Sequence, residues 1–387
     1  MRVTLHLMFS FLLFMSLGTS ASWAQEKKFK RALVVGGLGI APGAALGVIA
    51  GLKKKGWIPD VIITTCGASL SSAIYNSFKD DKLALEYAKS AEYQSVVRQA
   101  TVETKNLLKI KKKFENNTDF TVIPQIFYTP ILNIPEDVPA SLPDNTFNQS
   151  ATGPKLIMIA ARAHFGPEKV GLPRTSLKSF TQVFFTDADT ALAIEGFQSP
   201  IAKNFPMSFV ESKTEVMTGI STEEAARASI SDPFLTNPAK IGNDYYFTGA
   251  VDLFPLELAE SLADEVVSNY PIELYEGIGD LAIGVTFGFS QSDMVYKKIQ
   301  NKKVKWVDLV GIDKLTFDPK PNLLIFLKNG IPKSLENFQK GIQKQWDLGY
   351  ERGMEAIEVQ KAGSSTSHLR NLIKRGGKGG AGGKGGN

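Results

Sequence analysis

The residues best suited to covalent chemistry lie in "DVIITTCGASLSSAIYNSF", Asp60 to Phe78. Cys66, the only cysteine in 387 residues, stands where an apolar β-branched run gives way to small residues that can start a helix. A nucleophilic side chain at an abrupt strand-to-helix turn is the nucleophile-elbow arrangement, in which small neighbours permit a strained backbone that presents the reacting atom. Thr64-Thr65-Cys66-Gly67-Ala68 departs from Gly-x-Ser-x-Gly at both outer positions and at the nucleophile. A second register, Gly67-Ala68-Ser69-Leu70-Ser71, restores a serine but puts bulky Leu70 directly after it and moves the turn into the helix. The body of the chain offers one histidine, His164 in "AARAHFG", since His6 falls in the N-terminal apolar run and His368 in the basic C-terminal stretch. A thiolate at a helix N-terminus with imidazole as proton carrier is a workable pair. Nothing in the sequence brings the two together, and the plainer role for His164 is a strand-end residue in a loop. One cysteine and one body histidine exclude a zinc site of the His/Cys kind, the acids show no metal-ligand spacing, and no cofactor is implied.

A nucleophile held this way needs a strand ending at Thr65 and a helix beginning beside it. "RALVVGG" is a strand-like run from Arg31 to Val35 stopped by glycine, and Asp60 to Thr65 is a second apolar run. Between them, "PGAALGVIAGLKKKGW" spaces Leu46, Ile49, Ala50 and Leu52 on one helical face, and Lys53 to Lys55 fall in the last turn before Gly56, where cations suit the helix dipole. Strand, glycine loop, helix, strand, tight turn and helix in that order predict an α/β fold with a mainly parallel central sheet. "KLIMIAARA" and "FTQVFFTDA" are continuous apolar runs of the kind that buried strands carry. The proline- and asparagine-rich "YTPILNIPEDVPASLPDNTFNQSATGP" predicts a long surface loop beside the mouth of the site.

The run "ALVVGGLGIAPGAALGVIAGLKKKGWIPDVIITTCGASLSSAIY" resembles the opening of the patatin-like phospholipase family, which pairs a glycine-rich loop with an elbow serine. "EEAARASISDPFLTNPAKIGNDYYFTGAVDLFPLELAESLADEVV" is similar to the family's later block, where an Ala-Ser before a proline leads into an Asp-Gly-Gly turn and an Asn-x-Pro. "ENFQKGIQKQWDLGYERGMEAIE" resembles its closing helix, while residues 80 to 220 are mostly unmatched. The resemblance implies a three-layer patatin-like domain over 29–362 and a carboxylic ester hydrolase of lipid metabolism. It places Cys66 at the nucleophile position and Gly36, Gly37 and Gly39 of "GGLGIAPG" at the oxyanion-hole position, without the arginine usual in the family. When "YYFTGAVDLFP" is laid on the Asp-Gly-Gly turn, Phe247 takes the place of the dyad aspartate, and a phenyl ring accepts no proton. Asp252 then aligns with a polar position outside the dyad and Asp244 falls three residues early, so either serves as base only if the loop is displaced. With both halves of the pair changed, the expectation is a family member of weak or absent acyl-hydrolase activity that binds lipid or the cell envelope. The alternatives are an active hydrolase in which Cys66 works with an unrecognised base, and a non-enzymatic scaffold that displays the C-terminal tail.

Composition agrees with a soluble chain able to bury a large core in one big domain or two smaller ones, at 43% hydrophobic residues and a mean hydropathy of −0.06. Arg2, the apolar run "LHLMFSFLLFMSLG" and the small residues "TSASWA" predict a signal peptide over 1–24 and hence a periplasmic or secreted, membrane-associated location. Its apolar core is shorter than the roughly 18–20 residues of a membrane span. A single cysteine closes no intrachain disulfide, so export does not staple the fold. From Gly363 onward Arg370, Lys374, Arg375, Lys378 and Lys384 occur without an acid, and removing those five positives from the net charge of +5 leaves a neutral remainder. The segment 363–387, glycine-rich and almost without apolar side chains, predicts a flexible basic tail suited to an anionic envelope polymer. A lipid or membrane surface is the other expected partner, nucleic acid is not expected, and "VETKNLLKIKKKFENN" has the pattern of a basic amphipathic helix that could lie on such a surface.

Overall fold

The structure, a computed structural model, describes residues 27–102, 120–127, 130–135, 142–147, 153–174, 178–270, 278–317 and 331–361. The leader, most of the lysine-rich segment after Val102, part of the proline-rich loop and the basic tail lie outside the described residues.

In chain order the strands are β1 (Phe29–Gly36), β2 (Val61–Thr65), β3 (Thr101–Val102), β4 (Leu132–Asn133), β5 (Lys155–Ala163), β6 (Phe180–Phe185), β7 (Glu215–Met217), β8 (Ala239–Ile241), β9 (Asp244–Phe247), β10 (Ala263–Asn269) and β11 (Lys305–Val307). The central sheet runs β11-β10-β1-β2-β5-β6-β7 and is parallel from β11 through β5, with β6 antiparallel to β5 and β7 parallel to β6. β5 is longer than its neighbour β2. Its first residues pair with β2 and its last three, Ala161 to Ala163, pair with the β8–β9 hairpin.

Alternation along the strands sends side chains to two separate cores. Leu33, Val35, Ile62, Met158 and Ala160 face one, and Ala32, Val34, Ile63, Ile159 and Ala161 face the other. Both faces are covered, which is why β1, β2 and β5 are apolar almost throughout rather than alternating. The first face carries α1 (Pro42–Lys54), α2 (Gly67–Phe78), α3 (Asp81–Ala88), α7 (Thr222–Ser229) and α11 (Leu335–Lys361), and the second carries α8 (Leu256–Leu262), α9 (Ile278–Phe287) and α10 (Gln291–Ile299). The remaining helices are α4 (Ala91–Arg98), α5 (Ala188–Ile194) and α6 (Pro200–Asn204). The result is a three-layer α/β fold. The opening strand–loop–helix–strand–turn–helix order holds, with strands at Phe29–Gly36 and Val61–Thr65 where Arg31 to Val35 and Asp60 to Thr65 are expected.

The α1–α11 contact braces the loop that faces Cys66. Gly43, Gly47 and Gly51 recur every four residues on α1 and so form one stripe. Against it, the backbone of α11 comes so near that a Cβ at Gly47 would lie 2.3 Å from the carbonyl oxygen of Trp346. Buried Gln345 of α11 accepts a hydrogen bond from the Gly43 amide at 3.2 Å and donates to the Leu315 carbonyl, tying the start of α1 to the rest of the domain.

Among the described residues no helix is long and apolar enough to cross a membrane.

Candidate active site

β2 ends at Thr65, α2 begins at Gly67, and Cys66 between them has φ 54° and ψ −136°. An L-residue with a β-carbon pays for that conformation in steric strain, and it persists only where its surroundings enforce it. Three neighbours do so. The Cys66 amide donates to Ser229 Oγ at 2.9 Å, the Ala68 amide donates to the Gly37 carbonyl at 2.9 Å, and the Ser69 amide donates to the Cys66 carbonyl at 2.9 Å. Gly67 is required next to it, because a Cβ there would lie 1.8 Å from the Gly39 carbonyl oxygen. This is the elbow geometry expected of the Cys66 register.

Ser69 does not compete for the role. It is fully buried in the first turn of α2 and donates to Ser229 Oγ at 2.9 Å, while Thr64 Oγ1 lies 3.2 Å from it. Ser69 has committed its proton to Ser229, so Thr64 is the donor in that second contact and the hydroxyls form one chain ending at the Cys66 amide.

The residue facing the thiol is Thr248, one position beyond the predicted Phe247. Phe247 closes strand β9 opposite Ala161, is fully buried, and its ring packs edge-on against Phe127 and Phe180. Thr248 then turns the chain into a 3₁₀ turn, Gly249–Asp252, and brings its Oγ1 to 3.3 Å from Cys66 Sγ. The same oxygen accepts the Ala250 amide at 2.9 Å and donates to Asp232 Oδ1. A threonine has one proton, and since Asp232 takes it the thiol is the donor in the Sγ···Oγ1 contact. Cys66, Thr248 and Asp232 thus form a line of thiol, hydroxyl and carboxylate. Only 4% of Cys66 is exposed and Thr248 is fully buried.

Sequence reasoning missed Thr248, Ser229 and Asp232, although all three lie in the block it singled out. The signal available was Gly249. A Cβ there would approach the Ile159 carbonyl and Ser229 Oγ to 2.7 Å and the Cys66 amide nitrogen to 2.9 Å, so the turn's indispensable glycine directly follows the residue that meets the thiol.

The predicted oxyanion amides divide. Gly36 lies at the end of β1 and donates to Asn269 Oδ1 at 2.8 Å, with Asn269 Nδ2 returning a bond to the Gly36 carbonyl. Gly37 donates to the Thr65 carbonyl at 3.2 Å. Those two N–H groups, expected at the oxyanion-hole position, bond within the protein and hold the loop. Gly39, with φ 52°, is pressed against Gly67 beside the elbow.

The other acids and the histidine are elsewhere. Asp252, fully buried, meets Lys298 Nζ at 2.6 Å and Gln182 Nε2 at 3.2 Å. Lys298 also donates to Glu257 at 2.5 Å and to the Phe254 carbonyl at 2.7 Å. Burial opposes the ammonium charge, but Asp252 and Glu257 outweigh it and hold Lys298 above its ordinary value. This cluster anchors the far end of the turn that carries Thr248. Asp244 pairs with Arg162 at 3.6 Å, and His164 Nε2 lies 2.7 Å from Thr181 Oγ1. The Cys66–His164 pair is therefore not among these contacts, and His164 stands at the end of β5 as the plainer expectation had it.

No family model matches the sequence, and no curated protein matches it. Among solved structures, the crystal structure of VipD from Legionella pneumophila is similar at 10% identity and a TM-score of 0.37, over 86% of this chain and 67% of that one.

Proposed function

We propose that this chain is a patatin-like acyl-hydrolase relative that keeps the elbow, the glycine loop and the supporting turn as a frame while ester turnover is lost or reduced to a trace. The observation that carries this is the neighbour of the thiol, a buried neutral hydroxyl where a general base is needed. Acyl transfer requires a nucleophile, a base for its proton and amides for the developing oxyanion. Cys66 suits the first task. For the second, Thr248 offers no negative oxygen to the thiol, and the carboxylate of Asp232 stands one hydrogen bond further away, where its charge opposes a thiolate. Loss of direct base assistance typically removes about 10²- to 10⁴-fold in rate. For the third, Gly36 and Gly37 have already committed their amides. Lipid acyl chains or the cell envelope remain the ligand class this reading implies, in an exported protein.

A second reading is favoured by the line from Cys66 to Asp232. Proton transfer from sulfur to Thr248 Oγ1, with the threonine's own proton passing to Asp232, would leave a thiolate nucleophile and a neutral carboxylic acid. Two protons must then move where a direct base moves one.

Hydrolysis of p-nitrophenyl butyrate and palmitate by Cys66→Ser, Thr248→Asp and the double variant separates the two. Only the double variant should gain turnover. Good turnover by Cys66→Ser alone, abolished by adding Asp232→Asn, would establish the relay instead.

A further inference from the structure

Seven large apolar side chains stand exposed among the described residues, and four of them gather at one place. Phe120, Leu172, Met207 and Leu281 come from separate segments that Arg174 and Lys178 tie together. Residues 120–123 run antiparallel to 171–174, with the Ile123 amide donating to the Leu172 carbonyl and the Arg174 amide to the Thr121 carbonyl. The Arg174 guanidinium donates to the Phe120 carbonyl at 3.2 Å and, one helical turn beyond Leu281 on α9, to the Val285 carbonyl at 3.1 Å. It also reaches Ser179 Oγ at 3.4 Å and lies over the Phe209 ring. Next to Ser179, Lys178 Nζ donates to the carbonyls of Pro206 and Ser208 at 3.0 and 2.6 Å, on either side of Met207, which is 72% exposed. This face lies at the start of β6, opposite Ala163 at the end of β5, and so at the same carboxyl end of the parallel strands as Cys66.

Two features decide what such a face meets. The apolar tips stand on three turns and on the first turn of a helix, separated by polar backbone. That suits a fluid that closes around each tip, where a protein partner would need a matching hollow for each. The second feature is Arg174, which joins three of the four segments and has only neutral acceptors, with no carboxylate among its contacts. Burial alone pulls the guanidinium down to about 10, with no acid to offset it. A guanidinium carries five N–H donors, so the three bonds above leave donors for phosphate oxygens, the acceptors its fork matches well. Glu168, Glu211 and Asp280 stand at the margin against Lys169 and Lys178, so net charge does not select the ligand; the unpaired guanidinium among apolar tips does. Apolar side chains in an acyl layer with a cation at headgroup level is the arrangement of an interfacial surface.

We propose that this face docks the protein on a phospholipid bilayer, with Met207, Leu172, Phe120 and Leu281 entering the acyl layer and Arg174 holding a lipid phosphate. The proposal rests on the lipid reading above for its ligand class and adds the orientation, with the elbow end of the sheet toward the membrane. It requires no turnover at Cys66.

Flotation of the full chain with vesicles of phosphatidylcholine and phosphatidylglycerol, at low and at high salt, tests this. Salt screens attraction through the basic C-terminal stretch, so binding that survives high salt reports the apolar face. The double variant Leu172→Asp with Met207→Asp should weaken salt-resistant partitioning by roughly tenfold or more. Leu192→Asp, at a residue 73% exposed on α5 beyond the other end of β6, should leave it unchanged. The substituted side chains are all exposed, and circular dichroism of each variant checks that it folds. No salt-resistant binding, binding that the double variant leaves intact, or an equal loss in Leu192→Asp would each overturn the proposal, whatever the rate of ester hydrolysis. A double variant that still floats but loses self-association in light scattering would assign the face to a protein contact instead.

Discussion

Replacing Thr248 by valine keeps the shape of the side chain and removes the one oxygen on which three groups converge. Asp232 loses one donor, the Ala250 amide loses the Thr248 oxygen as acceptor, and the thiol of Cys66 loses the oxygen 3.3 Å away. A hydrogen bond to a charged group contributes roughly 1.5–3 kcal/mol, and Asp232 is only half-buried, so water recovers part of that and the lower end applies. Ala250 is fully buried, and a turn-starting amide stripped of its side-chain acceptor costs roughly 1 kcal/mol or more. Valine fills the same volume, so no cavity adds to the loss. The expected destabilisation is about 2–4 kcal/mol, a large part of the roughly 5–15 kcal/mol that folded proteins possess. Urea denaturation followed by far-ultraviolet circular dichroism measures it directly. Thr248→Ser, which keeps the oxygen and drops a methyl, should lose no more than about 1 kcal/mol. A valine variant within about 0.5 kcal/mol of the parent, or a serine variant as damaged as the valine one, would show that Thr248 does not organise the turn.

Three further outcomes are expected. Gly47→Ala gains helix propensity of up to about 1 kcal/mol but drives a Cβ to 2.3 Å from the Trp346 carbonyl, so it should destabilise by about 1–3 kcal/mol net, whereas Gly284→Ala, whose Cβ meets nothing nearer than 3.8 Å, should be neutral or stabilising in the same melts. Lys298→Met strands Asp252 in the core and should lose about 3–5 kcal/mol at neutral pH, with Asp252→Asn added in the same chain recovering much of it. Burial pushes the stranded Asp252 carboxyl above its unfolded value of roughly 3.9, so the variant's stability should be greatest below that value and fall as pH rises through the raised one, a trend read from urea midpoints at several pH values. Finally, iodoacetamide should label Cys66 slowly in the native protein and quickly in urea, because the thiol is 4% exposed; equal rates would contradict its burial.

The fold was legible where one residue pattern had one physical solution. β1, β2 and β5 are apolar on both faces because helices cover both, and the small residues after Thr65 allow only an abrupt turn. The elbow itself was readable for the same reason, since Gly67 is excluded from bearing a Cβ by the Gly39 carbonyl. What the sequence concealed depends on contacts between distant segments. Whether Phe247 or Thr248 meets the thiol turns on where β9 ends against Ala161, a one-residue question of register that reverses which side chain faces the site. The commitment of the Gly36 and Gly37 amides to Asn269 and Thr65 is equally invisible in "GGLG", because Asn269 lies far along the chain on β10. The glycine stripe of α1 was in plain view as a four-residue repeat, but its purpose appears only with α11 laid across it.

The central proposal is that Thr248, the hydroxyl beside the elbow thiol, is a poor general base for acyl transfer. Hydrolysis of p-nitrophenyl esters and of phospholipid vesicles by the unmodified protein, measured beside Cys66→Ala across pH 6 to 9, tests it most directly. The account predicts rates for the two proteins that coincide or differ by a trace. Robust hydrolysis by the unmodified chain that disappears in Cys66→Ala would contradict it.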